Sequence, residues 1–129
     1  MEEAKKYKIL IIDDDEFLLD MYSIKFRELG FDVEVAFGGQ EALDKIKNGF
    51  TPDVVLVDLV MPNMDGFEFI KQGKEQKLIT NSKIIILTNL GQKEDIEKGI
   101  QLGADDYIVK AYFTPSDVIK KVKSILKIQ

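Results

Sequence analysis

Neither cysteine nor histidine occurs in this chain of 129 residues. Without cysteine, no disulfide and no thiolate zinc site can hold the fold. Without histidine, the chain has no imidazole to serve as metal ligand, general base or phosphoryl carrier, so any phosphohistidine chemistry must come from a partner. The sequence also lacks an aliphatic run long enough to cross a bilayer. Its N-terminus, "MEEAKKYK", is charged and has none of the apolar core of a signal peptide. A cytoplasmic protein with no membrane partner is the expectation. The net charge of −5 argues against direct nucleic-acid binding by the chain itself. No linker or low-complexity segment interrupts the sequence, so residues 1–129 are read as one domain.

What is present is a repeating alternation. Five short apolar or mixed runs, at 7–13, 32–37, 52–58, 83–88 and 106–110, alternate with segments of helical period. Three of the runs are continuously apolar, as expected of parallel strands covered on both faces. "DVEVAF" alternates and is the expected edge strand. The first helical segment, 16–29, is expected to turn Phe17, Leu18, Met21, Tyr22 and Leu29 inward and to stop at Gly30. The second, 40–48, offers Ala42, Leu43 and Ile46. The third, 66–77, offers Phe67 and Ile70, with Gly73 weakening it. The fourth, 92–102, offers Ile96, Ile100 and Leu102. The last opens at "TPSD", where Thr114, Pro115 and Asp117 form the signature of a capping box. Strand followed by helix, five times over, predicts an α/β domain: a single doubly wound five-stranded parallel sheet with helices on both faces. Ligands of such sheets bind at the carboxyl ends of the strands.

The strand ends carry the chemistry. "KILIIDDDEF" runs four aliphatic residues straight into Asp13, Asp14, Asp15 and Glu16. Two carboxylates about 4 Å apart repel by about 4 kcal/mol at an effective dielectric near 20, so something must offset the crowding. Asp15 reads as a helix N-cap; Asp13 and Asp14 could also be no more than a helix N-terminus. The third strand ends in Asp58, the fourth in Thr88 and the fifth in Lys110. Three acids, a hydroxyl and an ammonium thus converge on one edge. Oxygen ligands without histidine or cysteine suit Mg²⁺ and not zinc.

Taken together, "ILIIDDDEF", "VVLVDLVMPNMDGFEFI", "IIILTN" and "GADDYIVKA" resemble the motifs of a response-regulator receiver domain of two-component signal transduction. The resemblance covers about 8–126 and implies a flavodoxin-like strand order, 2-1-3-4-5. It implies that Asp58 accepts a phosphoryl group, that Asp14, Asp58 and the main-chain carbonyl of Val60 bind Mg²⁺ directly, and that Asp13 acts mainly through a bound water. Lys110 would pair with the phosphoryl oxygens and Thr88 would hydrogen-bond them. Tyr107 would be the aromatic switch that turns inward as Thr88 moves. The donor would be a sensor histidine kinase or a histidine phosphotransfer protein. A downstream protein would dock on 92–127, and a phosphorylation-dependent dimer is left open. The chain would catalyse only its own phosphorylation and dephosphorylation.

Three departures from the family pattern stand out. Ala111 follows Lys110 where the family usually has proline, so a trans peptide is expected there, and "AYFTP" is one residue longer than usual. Val60 and Leu90, two positions beyond Asp58 and Thr88, are apolar and cannot orient an attacking water, which predicts slow dephosphorylation. Asn89 replaces the small residue usual after the threonine and would crowd the way into the cleft. Two other functions are weighed: a haloacid-dehalogenase-type phosphohydrolase with Asp13 as nucleophile, which would normally need a cap or longer chain, and a degenerate, unphosphorylated interaction module. No DNA-binding or enzymatic segment follows within these residues, which leaves both a docking protein and a domain of a longer regulator open.

Overall fold

The structure, a computed structural model, describes residues 6–129. The charged stretch at 1–5 lies outside the described residues. Five strands form one parallel sheet in the order β2-β1-β3-β4-β5: β1 (Lys8–Ile12), β2 (Asp32–Ala36), β3 (Val54–Val57), β4 (Lys83–Thr88) and β5 (Asp106–Val109). The alternating run is therefore an edge strand, as its pattern predicts. Five helices connect and flank the strands: α1 (Glu16–Glu28), α2 (Gly39–Lys47), α3 (Gly66–Glu75), α4 (Lys93–Gln101) and α5 (Pro115–Leu126). Successive strand residues serve opposite faces. Leu10, Ile12, Val55, Val57, Ile84 and Ile86 pack with residues of α2 and α3. Ile9, Ile11, Val54, Leu56, Ile85 and Leu87 pack with α1 and α5. The central strands are apolar throughout because neither of their faces meets water.

Two helices depart from the expected inward faces. In α1 the buried residues are Leu19, Tyr22, Ser23 and Phe26, an i, i+3, i+4, i+7 stripe. Tyr22 is inward as expected and Leu18 and Met21 flank the core, but Phe17 and Leu29 are exposed. A count of apolar residues placed the stripe one step off, because Phe17 and Leu29 stand on the helix ends. In α4 the only buried residue is Gly99, and Ile100 faces solvent. A glycine carries no weight in a hydrophobic pattern, yet here it marks the contact line.

Gly73, expected only to weaken α3, has a packing role. A Cβ there would stand 2.8 Å from Ile79 Cδ1, so the small residue lets the following loop close over the helix. The α5 cap forms as read: Thr114 Oγ1 accepts from Asp117 N–H at 3.1 Å while the Asp117 carboxylate accepts from Thr114 N–H at 3.0 Å.

Candidate functional site

The backbone continues in ladder-like fashion past the strands and so fixes the first residue beyond each. Asp13 N–H donates to Ala36 O at 3.1 Å, and Asp58 N–H donates to Ile12 O at 3.0 Å. Asp13 and Asp58 are thus set on adjacent strand ends with little freedom. Asp15 caps α1, accepting from Phe17 and Leu18 N–H at 3.0 and 3.2 Å, as its position predicts. Asp14, between the two, is exposed.

The structure brings the acids together. Carboxylate oxygens of Asp13, Asp14 and Asp58 all lie within 4.8 Å of one another. Lys110 reaches across from the end of β5, its Nζ 2.8 Å from Asp13 Oδ2 and 3.2 Å from Asp58 Oδ2. These groups, with Asp15, Val60, Thr88 and Asn89, line a cleft of about 340 Å³. Thr88 is fully buried, its Oγ1 accepting from Leu90 N–H at 3.4 Å. Val60 stands on the rim, 56% exposed, and Asn89 is exposed beside it.

One ammonium between two buried carboxylates leaves the site short of positive charge. Burial raises the Asp13 carboxyl above its ordinary 3.8, against the opposing hydrogen bonds from Lys110 and from Asp15 N–H. Burial alone would pull Lys110 down, but the Asp13 hydrogen bond and the charges of Asp58 and Asp13 outweigh it and hold the ammonium above 10.5. The two directions agree once the group is treated as a triad: the cation has two partners, whereas each anion has half of one. With Asp14 included, three carboxylates and one ammonium sum to −2. All-oxygen donors at this spacing with this charge fit a hard divalent cation such as Mg²⁺.

Tyr107 lies beside this site, half-buried against the α3-side core, with its hydroxyl donating to Leu90 O at 2.5 Å. Burial and the nearby Asp95 and Asp58 charges push its hydroxyl up to about 12, so it is neutral and a donor across ordinary pH. The Lys110–Ala111 peptide is trans, since no cis bond occurs among the described residues. The chain then makes one turn of 3₁₀ helix, Lys110–Tyr112, which leaves Tyr112 81% exposed.

Gly66 belongs to the site, although its place in "MDG" gave it no role beyond turn chemistry. A Cβ on Gly66 would lie 2.3 Å from the carbonyl oxygen of Asp58 and 2.9 Å from Leu59 Cα. The start of α3 therefore rests on the backbone of Asp58 itself. Gly66→Ala must shift one of the two. It is expected to cost about 1–3 kcal/mol, the usual penalty of overpacking, read from urea unfolding, and to slow any reaction at Asp58.

The doubly wound sheet and its acidic strand-end cleft define the class, and comparison with known proteins makes it specific. The profile of the response regulator receiver domain matches residues 9–123. The chain belongs to that family. The alkaline phosphatase synthesis transcriptional regulatory protein PhoP of Bacillus subtilis (strain 168) is 38% identical over 120 residues, which are 93% of this chain and 48% of PhoP. The DNA-binding dual master transcriptional regulator RpaA of Synechocystis sp. is 34% identical, across 93% of this chain and 49% of RpaA. The chain spans about half the length of the curated relatives it matches. Among solved structures, the CheY-like receiver domain protein of Methanospirillum hungatei JF-1 superposes with a TM-score of 0.86 at 34% identity, covering 95% of each chain. Chemotaxis protein CheY4 of Vibrio cholerae gives 0.85 at 32%, covering 93% of this chain and 98% of CheY4. No helix among the described residues is long and apolar enough to cross a membrane.

Proposed function

We propose that the chain works as a single receiver domain over residues 1–129, a signalling switch that takes a phosphoryl group from a partner's phosphohistidine onto Asp58. The observation that carries this reading is the triad in which Lys110 bridges Asp13 and Asp58, with Asp14 within reach of the same point. Phosphoryl transfer needs positioning and neutralisation of charge more than covalent machinery. An Asp58 carboxylate oxygen attacks phosphorus as the bond to the partner's imidazole nitrogen breaks, and the released imidazole keeps that electron pair. In this reading the Lys110 ammonium neutralises the charge that grows on the transferred group, and the buried Thr88 hydroxyl donates to it. Asp13, Asp14, Asp58 and the Val60 carbonyl would hold Mg²⁺, which when bound supplies neutralisation of phosphoryl charge.

Hydrogen bonding favours Asp58 over Asp13 as nucleophile. Both Asp13 oxygens are held by short bonds, from Asp15 N–H at 2.9 Å and from Lys110 at 2.8 Å. The contacts on Asp58 are longer, 3.3 Å from Val60 N–H and 3.2 Å from Lys110. The hydrolase reading with Asp13 as nucleophile is therefore disfavoured. Incubation with radiolabelled acetyl phosphate and Mg²⁺, followed by peptide mapping, tests the assignment. Label on the peptide holding Asp58 supports it, label on Asp13 supports the hydrolase, and no label at all supports the unphosphorylated module.

Downstream, the chain signals through a protein docked on 92–127, where α4, β5 and α5 adjoin Thr88 and Tyr107, and dimerisation through the same face on phosphorylation is part of this reading. Phosphorylation of Asp58 adds charge and strong acceptor oxygens just past β3, in the cleft that Thr88 at the buried end of β4 also lines, enough to move a hydroxyl and its loop. Val60 lines the cleft without a group to orient water, and Leu90, packed on the α3-side core just beyond Thr88, offers none either. Val60→Asn with Leu90→Asn is expected to shorten the phosphorylated lifetime roughly ten-fold, less than the roughly hundred-fold or more of a positioned acid or base, because an amide orients water without taking its proton. An unchanged half-life in a timed release of phosphate would sink that assignment. Asn89→Ala is expected to speed labelling by acetyl phosphate without altering that half-life.

A further inference from the structure

α4 is the most lightly anchored helix. Its single buried residue is Gly99, and across the gap to α3 it has the exposed Lys98, whose Nζ stands 4.4 Å from the centre of the Phe67 ring. What Gly99 touches is specific. A Cβ built on it would lie 2.6 Å from Ile86 Cδ1 and 3.4 and 3.5 Å from Cδ2 and Cε2 of Tyr107. Ile86 and Tyr107 are partners across the β4–β5 ladder, so the bare backbone of α4 rests on that cross-strand pair. Ile86 in turn faces Val57 in the β3–β4 register, one residue before Asp58. Tyr107 is tied by its hydroxyl to Leu90 O, in the loop leaving Thr88. Gly99 is thus where α4 meets both side chains that join it to the acidic cleft.

Backbone freedom does not explain this glycine. Its φ is not in the left-handed region, and it stands in the last turn of a regular helix, where alanine is the better helix former. The lost helix propensity is offset by clearance.

Resting on the switch reading above, we infer that Gly99 is a positioning residue: the clearance that lets α4 seat only while the Tyr107 ring lies inward, so that helix position and ring orientation form one coupled variable. The ring cannot turn without leaving a gap beneath Gly99, and a methyl group at Gly99, in ordinary contact with the ring, cannot be admitted without moving Ile86, the cross-strand partner on which the ring packs. The device transmits a change at Thr88 to the 92–127 face by contact, with no charge moved along α4.

The test is Gly99→Ala, alone and with Ile86→Val, which removes the nearest obstructing atom. One arm needs no phosphoryl chemistry: selectively labelled tyrosine ring signals by NMR in the free protein. Gly99→Ala is expected to move the Tyr107 ring signals and the amides of 93–101, and Ile86→Val in the same chain to return most of that shift. A second arm uses beryllofluoride with Mg²⁺ as the phosphoryl mimic. Its affinity is expected to fall about five-fold or more in Gly99→Ala, the lower range of coupling between sites, and to recover in the double variant. Ring signals that stay in place, or that move without recovery by Ile86→Val, would overturn the inference. Failure of beryllofluoride to bind the unsubstituted chain would instead overturn the switch reading and leave the first arm standing. If Gly99→Ala does not fold, Ile86→Val alone decides: loosening under Gly99 must broaden the Tyr107 ring signals, and unchanged signals count against the coupling.

Discussion

Asp58→Asn is expected to abolish phosphoryl incorporation, lowering labelling by acetyl phosphate at least about a thousand-fold, or some 4 kcal/mol in the barrier. The amide nitrogen cannot displace a leaving group as a carboxylate does, and the second oxygen needed to hold both phosphorus and a cation is gone. The fold should survive. Asparagine keeps the volume and one oxygen to accept from Lys110, now 3.2 Å from Asp58 Oδ2, and its loss of charge relieves repulsion from Asp13 and Asp14. A thermal scan should therefore show the variant at least as stable as the parent, while Mg²⁺ affinity by titration calorimetry drops. Label persisting in the variant would place the acceptor elsewhere. Asp13→Asn separates the roles: it should slow labelling yet leave the label on Asp58.

The sheet was legible because its strands are short, apolar and bounded by residues of clear character. Continuous runs such as "KIIILT" read as strands buried on both faces, and the alternating "DVEVAF" read as the edge it occupies. The strand-end acids, threonine and lysine announced the cleft because each is a polar residue where an apolar run stops. Expectations failed where burial is set by shape. Phe17 is apolar and exposed, whereas Ser23 is polar and buried. Helix ends leave apolar groups without a neighbour to pack on, and a packed stripe can accept a small polar group.

Glycines were the least legible residues. Gly66 and Gly99 carry contacts that only three-dimensional proximity reveals: the Asp58 carbonyl for one, Ile86 and Tyr107 for the other. In the sequence, the first looked like turn chemistry and the second like nothing at all. Close packing makes such contacts consequential, because an interior of native density transmits strain and leaves no slack to absorb it.

Lys110 is the cation that both buried carboxylates share, and its removal should be costly. Lys110→Ala leaves Asp13, 2% exposed, and Asp58, 7% exposed, without a counter-ion. Breaking a buried pair by removing one partner typically costs about 3–5 kcal/mol, and that loss should appear in urea unfolding at neutral pH. Lys110→Met, which keeps the apolar stem, should lose nearly as much if charge and not packing is responsible. In the parent, Lys110 is held above 10.5, so its contribution is fully present at neutral pH and disappears only as pH rises through that higher value. Asp13, held above 3.8 chiefly by burial, acts in the same direction but in the acid range. The folded state binds its proton more tightly than the unfolded chain, so stability rises as pH falls through the raised value. Without Lys110 that value moves further up, and the deficit of the variant should shrink as the solution is acidified. Mg²⁺ should narrow the same gap at neutral pH by binding the folded cluster alone, and chelation should reopen it. A deficit below about 1 kcal/mol, the scale of an exposed ion pair, and flat in pH would mean that Lys110 is a solvated side chain. In that case the cleft would have lost its central cation, and with it the reason for three carboxylates to be so close.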